Sequence, residues 1–161
     1  DTVSQRNEAR GDFELREGMP ELLAELSAER LLLGLAANQP ADTVTKMERL
    51  GIAEYFTYRE VSGSINLRKP DPRLLLHSCE HLGVEPQEAI MVGDRIDNDI
   101  VPARMLGMAA IRFVSGRHSE QEPRSWNEAP HADVHSVEEL GKVIRQFVDA
   151  PPNVSGDNGP E

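Results

Sequence analysis

A three-layer α/β fold built on a parallel sheet is what this sequence predicts, and three observations carry the prediction. Nearly continuous apolar runs alternate with segments of helical periodicity. Those runs do not alternate apolar with polar residues, and the strongest of them ends in Gly93 followed at once by acids. Strands buried on both faces read as unbroken apolar runs, and the helices between them supply the cover.

In chain order, residues 1 to 17 are polar, with neither strand-like run nor helical period, and read as a flexible lead-in. Pro20 sits where a first helical turn tolerates it, and Leu22, Leu23 and Leu26 give one apolar face of a helix running to about Glu29. Residues 31 to 37 form an apolar run containing Gly34 and read as a buried strand that leads into Asn38-Gln39-Pro40. A helix is expected over 42 to 50, with Val44, Met47 and Leu50 on one face and Gly51 as its stop. A short strand fits 55 to 61, broken by residues 62 to 64. Asp71 then caps a helix with Pro72 at its first position, ending at Gly83 after Leu75, Cys79 and Leu82.

The stretch Glu88-Ala-Ile-Met-Val-Gly-Asp-Arg-Ile-Asp-Asn-Asp-Ile-Val101 organises the rest. Residues 89 to 92 read as a buried strand, Gly93 as the turn, and Ile100, Ala103 and Leu106 as the apolar face of the next helix. Asp94, Asp97 and Asp99 therefore sit at the carboxyl end of a strand, where ligands bind in open α/β sheets. Three acids this close repel one another, and a hard divalent cation with oxygen ligands would relieve the repulsion, whereas helix capping accounts for one acid only. A calcium-type loop is disfavoured: the sixth position from Asp94 is Asp99 instead of glycine, and the twelfth is Met105 instead of Glu.

Gly107 closes that helix and residues 109 to 114 supply another strand. Residues 115 to 130 read as a surface loop that Trp126 pins down, and 132 to 134 as a short edge strand. Ser136 and Glu139 form a capping box for a two-sided amphipathic helix carrying Val137, Leu140, Val143, Ile144, Phe147 and Val148. The Pro, Gly, Asn and Asp content from Pro151 onward reads as disorder, giving a lead-in over 1–17, a core over 18–148 and a tail over 149–161.

Composition narrows the partners. A chain of 161 residues with net charge -11 and pI about 4.9 offers no basic patch for a nucleic-acid backbone. No apolar run reaches the length of a membrane span and no signal-peptide pattern opens the chain, so neither nucleic acid nor membrane is an expected partner. The single cysteine, Cys79, lies on an apolar helix stripe, reads as a core residue, and suits a reducing compartment, so a cytoplasmic location is expected. His77 and His81 have metal-compatible spacing, but no third ligand is evident and a solvated polar face is the preferred reading.

Three pieces taken together carry a resemblance: Ala36-Ala37-Asn38 after a strand, Lys69-Pro70-Asp71-Pro72 before a helix, and Gly93-Asp94 through Asn98-Asp99 with Gly107-Met108 behind. In this order and spacing they resemble the second to fourth motifs of the haloacid dehalogenase-like (HAD) hydrolase superfamily. The resemblance implies a three-layer α/β/α Rossmann-like (HAD-like) parallel sheet. It also implies a Mg2+-dependent phosphohydrolase that acts on a small phosphorylated metabolite through an aspartyl-phosphate. By that resemblance Asp94 holds Mg2+, directly or through water, and Asp99 supports the ion or orients the lysine. Lys69 balances the nucleophile's charge and steadies the phosphoryl oxygens.

Two departures stand out. Ala37 occupies the position where the family usually has Thr or Ser, so Asn38 or loop amides would have to contact the phosphate. No Asp-x-Asp-x-Thr first motif precedes Leu31, so the nucleophile is not found in this chain and the sheet is expected to be incomplete at its N-terminal strand. Two readings follow. Either this is the C-terminal part of a longer phosphohydrolase, inactive alone, or it is a non-catalytic HAD-like binding or interaction module.

Overall fold

The computed structural model describes residues 15–59 and 61–154. The chain divides between Gly83 and Val84 into two compact units. The lead-in expected over residues 1–17 and the tail over 149–161 fall largely outside the described residues. Of the former, Leu15 packs against Met47, Ile52 and Ala53.

In the first unit the helix Met19–Ala28 buries Leu22 and Leu26, and Thr43–Arg49 buries Met47. Met47, Ile52 and Ala53 form a core that Leu23, Leu35, Tyr55 and Phe56 close over. Gly51 turns the chain out of Thr43–Arg49 at φ 73°, a left-handed backbone that glycine adopts without steric cost. The strand expected over 31 to 37 is not formed as a ladder. Gly34 makes one isolated parallel bridge with Tyr58, through Leu35 N–H to the Tyr58 carbonyl and Tyr58 N–H to the Leu33 carbonyl, which also accepts the Thr57 N–H. Leu32 is exposed. An apolar run becomes a strand only where neighbours pair its backbone, and among the described residues the 57–58 segment alone pairs with this run as a β-bridge. The short strand expected over 55 to 61 is likewise reduced to that bridge, preceded by the tight turn Ala53–Tyr55.

Residues 62 to 64 do more than interrupt. Ser62–Ile65 is a helical turn laid against the loop that leaves Ala37, with Ser62 N–H on the Ala37 carbonyl and Gly63 N–H on the Gln39 carbonyl. A Cβ on Gly63 would lie 2.9 Å from both Ala41 N and Gln39 O, so glycine is required for this approach. The helix Arg73–Leu82 starts as its sequence suggests, with Asp71 accepting the Arg73 N–H at 3.0 Å, and stops at Gly83 with φ 70°. Cys79 is buried on its inner face.

The second unit holds a parallel sheet of β1 (Ile90–Gly93), β2 (Ala109–Phe113) and β3 (Ala132–Val134), in that order. β2 is buried along its whole length, and Ile111 is fully enclosed, which contributes roughly 1.5–3 kcal/mol of apolar burial. Between β1 and β2 the chain makes a π-type turn, Ile96–Ile100, and a short helix, Val101–Met105, and turns back at Gly107. The expected helix is therefore shorter, and begins later, than the acids suggest.

Trp126 does not pin the loop over 115 to 130: it is 44% exposed, and Gln121, accepting hydrogen bonds from Ile96 N–H and Arg112, holds the loop instead. The capping box on Val137–Asp149 is half formed. Ser136 Oγ accepts the Glu139 N–H, but the Glu139 carboxylate reaches one residue further back, to His135 N–H. That helix buries Leu140, Gly141 and Ile144, while Val148 faces solvent, so it is one-sided.

His131 connects β3 to the sheet through its ring as well as its backbone. Its Nδ1 accepts the Ala110 N–H at 3.0 Å, and its ring meets Phe147 edge-on. Burial, helped by the Arg104 charge, lowers its pKa below the usual histidine value. The unfolded chain therefore binds a proton near pH 6.5 that the folded chain refuses, and stability falls as pH drops through that value. His118, also lowered by burial, adds to the same slope. His131→Gln, which keeps an acceptor, is expected to flatten the loss of denaturation midpoint between about pH 7 and pH 5.

Candidate active site

The sequence-nominated residues fall into two groups, one in each unit. In the first unit Lys69 is 2% exposed. An ammonium this deeply buried is tolerated only where opposite charge or several acceptors compensate it. Its backbone is gripped from one side by Asn38, whose Oδ1 accepts the Lys69 N–H at 2.7 Å and whose Nδ2 donates to the Lys69 carbonyl at 2.9 Å. Asn38 thus uses both ends of its amide on Lys69. Ala37, just before it, is buried and offers no hydroxyl.

In the second unit the three acids go to three different environments. Asp99 is completely buried, and its Oδ2 accepts the N–H groups of Asp94 and Arg95 at 3.1 Å each. Asp94, 5% exposed, stands immediately after β1. Asp97 turns outward to Arg95, at 2.8 Å, and to Gln121 Nε2, at 2.9 Å. The Arg95 hydrogen bonds, aided by Gln121, hold the Asp97 carboxyl down at about 2 against the opposing effect of partial burial. Arg95 and backbone amides relieve the charges of Asp97 and Asp99, whereas Asp94 Oδ1 is buried with no hydrogen-bond partner among the described residues.

Gly93 owes its place to space. A Cβ there would lie 2.4–2.5 Å from the Asp99 side chain, so only glycine lets the Asp99 carboxylate reach back under the turn. The π-type turn adds to this, because Asp99 N–H and Ile100 N–H both point to the Arg95 carbonyl.

Gln121 was not signalled by any sequence pattern. Its Oε1 accepts the Ile96 N–H at 2.8 Å while its Nε2 holds Asp97, so one side chain ties down the first two residues of the turn. Its own carbonyl is held by Arg112, which is buried and forms a two-pronged pair with Asp133, its register partner on β3. A cleft of about 310 Å3 opens beside Ile96 and Asp97 and is lined further by Gln121 and Glu128.

Among the described residues no group of three or more His, Cys, Asp or Glu side chains is arranged to hold a metal. Asp94 nonetheless offers what Mg2+ uses, a carboxylate oxygen at a strand end, and Mg2+ commonly takes one or two carboxylates with water and substrate oxygens completing its shell.

The family model of haloacid dehalogenase-like hydrolases matches residues 1–113. The chain belongs to this family. It is 37% identical over 102 residues to the glyceraldehyde 3-phosphate phosphatase of Methanopyrus kandleri, covering 63% of this chain and 44% of that protein. It is 35% identical over 133 residues to the N-acetylmuramic acid 6-phosphate phosphatase of Pseudomonas putida, covering 81% and 58%. The crystal structure of a HAD phosphatase from Thermococcus onnurineus superposes with a TM-score of 0.73 at 26% identity, over 88% of this chain and 62% of that one. The Rossmann-like α/β class is thereby established. The chain spans about half the length of the curated relatives it matches.

Two outcomes are expected. Gly93→Ala forces Asp99 out of its position and lowers stability by about 1–3 kcal/mol in denaturant titration, with a larger loss if Asp99 is expelled altogether. Gln121→Ala releases the Ile96 amide, so its hydrogen-exchange protection falls while that of β2 stays unchanged.

Proposed function

We propose that the protein carrying this chain is a Mg2+-dependent phosphohydrolase acting on a small phosphorylated metabolite. The observation that carries the reading is a charged residue held in place within each unit: in the first a buried lysine fixed by Asn38, in the second a buried acid at the end of β1 whose turn is fixed by Asp99. The phosphatases among its relatives support the same reading.

Phosphoryl transfer needs positioning and charge stabilisation more than it needs covalent help from many groups. Lys69 steadies the phosphoryl oxygens as a compact cation, and Asn38 sets its position. With Asn38 so engaged and Ala37 lacking a hydroxyl, loop amides are left as the other phosphate donors. Asp94 holds Mg2+ and Asp99 supports it by fixing the turn on which Asp94 stands. Bound Mg2+ supplies positive charge against the negative charge that gathers at the site. The nucleophilic carboxylate, which displaces the substrate's alkoxide from phosphorus and is then freed by water, is not one of the described residues. A cytoplasmic setting accords with the free, buried Cys79.

The second reading, a binding module that has lost turnover, is favoured by one observation, the buried Ala37 in place of a hydroxyl donor. Hydrolysis of p-nitrophenyl phosphate with and without Mg2+ separates the two, measured on this chain and on the longest natural protein that contains it. Metal-dependent turnover in the longer protein supports the enzyme. No turnover there, with a cooperative thermal transition showing that it is folded, supports the module.

In the active form Lys69→Ala is expected to lower kcat/KM by roughly 10²–10³-fold. Asp94→Asn is expected to abolish Mg2+ binding measured by calorimetry.

A further inference from the structure

The helix Arg73–Leu82 carries His77 and His81 one turn apart, and residues four apart on a helix stand one above the other. Their rings lie with centroids 4.3 Å apart and planes inclined by 33°, and Tyr58 covers the pair from the adjoining segment. His81 is exposed and His77 half-buried, so solvent reaches them.

Two hydrogen bonds settle what these imidazoles can offer. His81 Nδ1 lies 2.9 Å from the His77 carbonyl oxygen. A carbonyl only accepts, so Nδ1 carries the proton and Nε2 of the neutral ring keeps its lone pair. His77 Nδ1 is hydrogen-bonded to the Tyr58 hydroxyl, which can also accept, so the same tautomer is open to His77. An imidazole tied through one nitrogen to a carbonyl or hydroxyl, with the other nitrogen facing out, is the arrangement that orients metal-bound histidines.

We propose that His77 and His81 form a two-imidazole site for a borderline divalent transition metal of the Zn2+, Ni2+ or Cu2+ class, oriented by Tyr58 and the His77 carbonyl. Among the described residues no third His, Cys, Asp or Glu completes a set with them, so water fills the remaining positions and the site stays open. The donors are nitrogen only. That separates it chemically from the oxygen donor Asp94, since imidazole suits Zn2+, Ni2+ and Cu2+ while Mg2+ prefers carboxylate and water. Occupancy also couples parts of the first unit, because Tyr58 bridges Gly34 while the histidines sit on the helix.

The test is calorimetric titration of the full chain with Zn2+ at about pH 7.5, where imidazole is largely neutral, with excess Mg2+ present to occupy oxygen sites. One Zn2+ per chain is expected. His81→Gln and His77→Gln should each weaken it by roughly tenfold or more, and Asp94→Asn and His135→Gln should leave it unchanged. Because His77→Gln also removes the bond to Tyr58, the decisive variant is the exposed His81→Gln, supported by 15N shifts of the two Nε2 atoms on Zn2+ addition. Absence of saturable binding, affinity unaltered by His81→Gln, or an equal loss in Asp94→Asn would overturn the site.

Discussion

The second unit depends on one buried carboxylate. Asp99 lies beneath the turn that follows β1 and accepts two successive backbone N–H groups, from Asp94 and Arg95. A buried anion without such donors would be strongly unfavourable, and two buried amides without an acceptor would be nearly as costly, so each side of this contact secures the other. The contact also requires that residue 93 have no side chain. One interaction thus fixes the direction in which Asp94 leaves the strand.

From that point the polar scaffold extends across the sheet without a break. Arg95 neutralises Asp97, Gln121 joins Asp97 to the Ile96 backbone, and Arg112 anchors Gln121 while pairing with Asp133 on the edge strand. Arg112 is buried while Asp133 is 41% exposed, so the pair sits at the boundary where desolvation is partial and a two-pronged geometry is most useful. The chemistry proposed for Asp94 is therefore held in place by groups that take no part in it.

Local signals were legible in the sequence where their physics is local. Gly51 and Gly83 end their helices through a left-handed backbone, Asp71 accepts the Arg73 N–H, and the run before Gly93 is a strand, though its residues alternate between buried and half-buried. The run over 31 to 37 misled because apolar character alone does not make a ladder; a partner must lie alongside, and that partner is not encoded in the run. The three acids were legible as a cluster but not as three separate environments. Arg95 takes Asp97 and the backbone amides take Asp99, and a count of carboxylates does not distinguish these from Asp94. Asn38 was marked by its motif but its partner was not, since Lys69 lies 31 residues away, and Gln121 was harder still, with its partner 25 residues away and nothing in its immediate neighbours to mark it.

Both hydrogen bonds that Asn38 makes to Lys69 go to the backbone of residue 69. The loop thus sets the backbone of residue 69 through bonds that do not involve its side chain, while that side chain, 2% exposed, is fitted separately to its buried surroundings. A change at Asn38 disturbs the placement of whatever residue 69 carries.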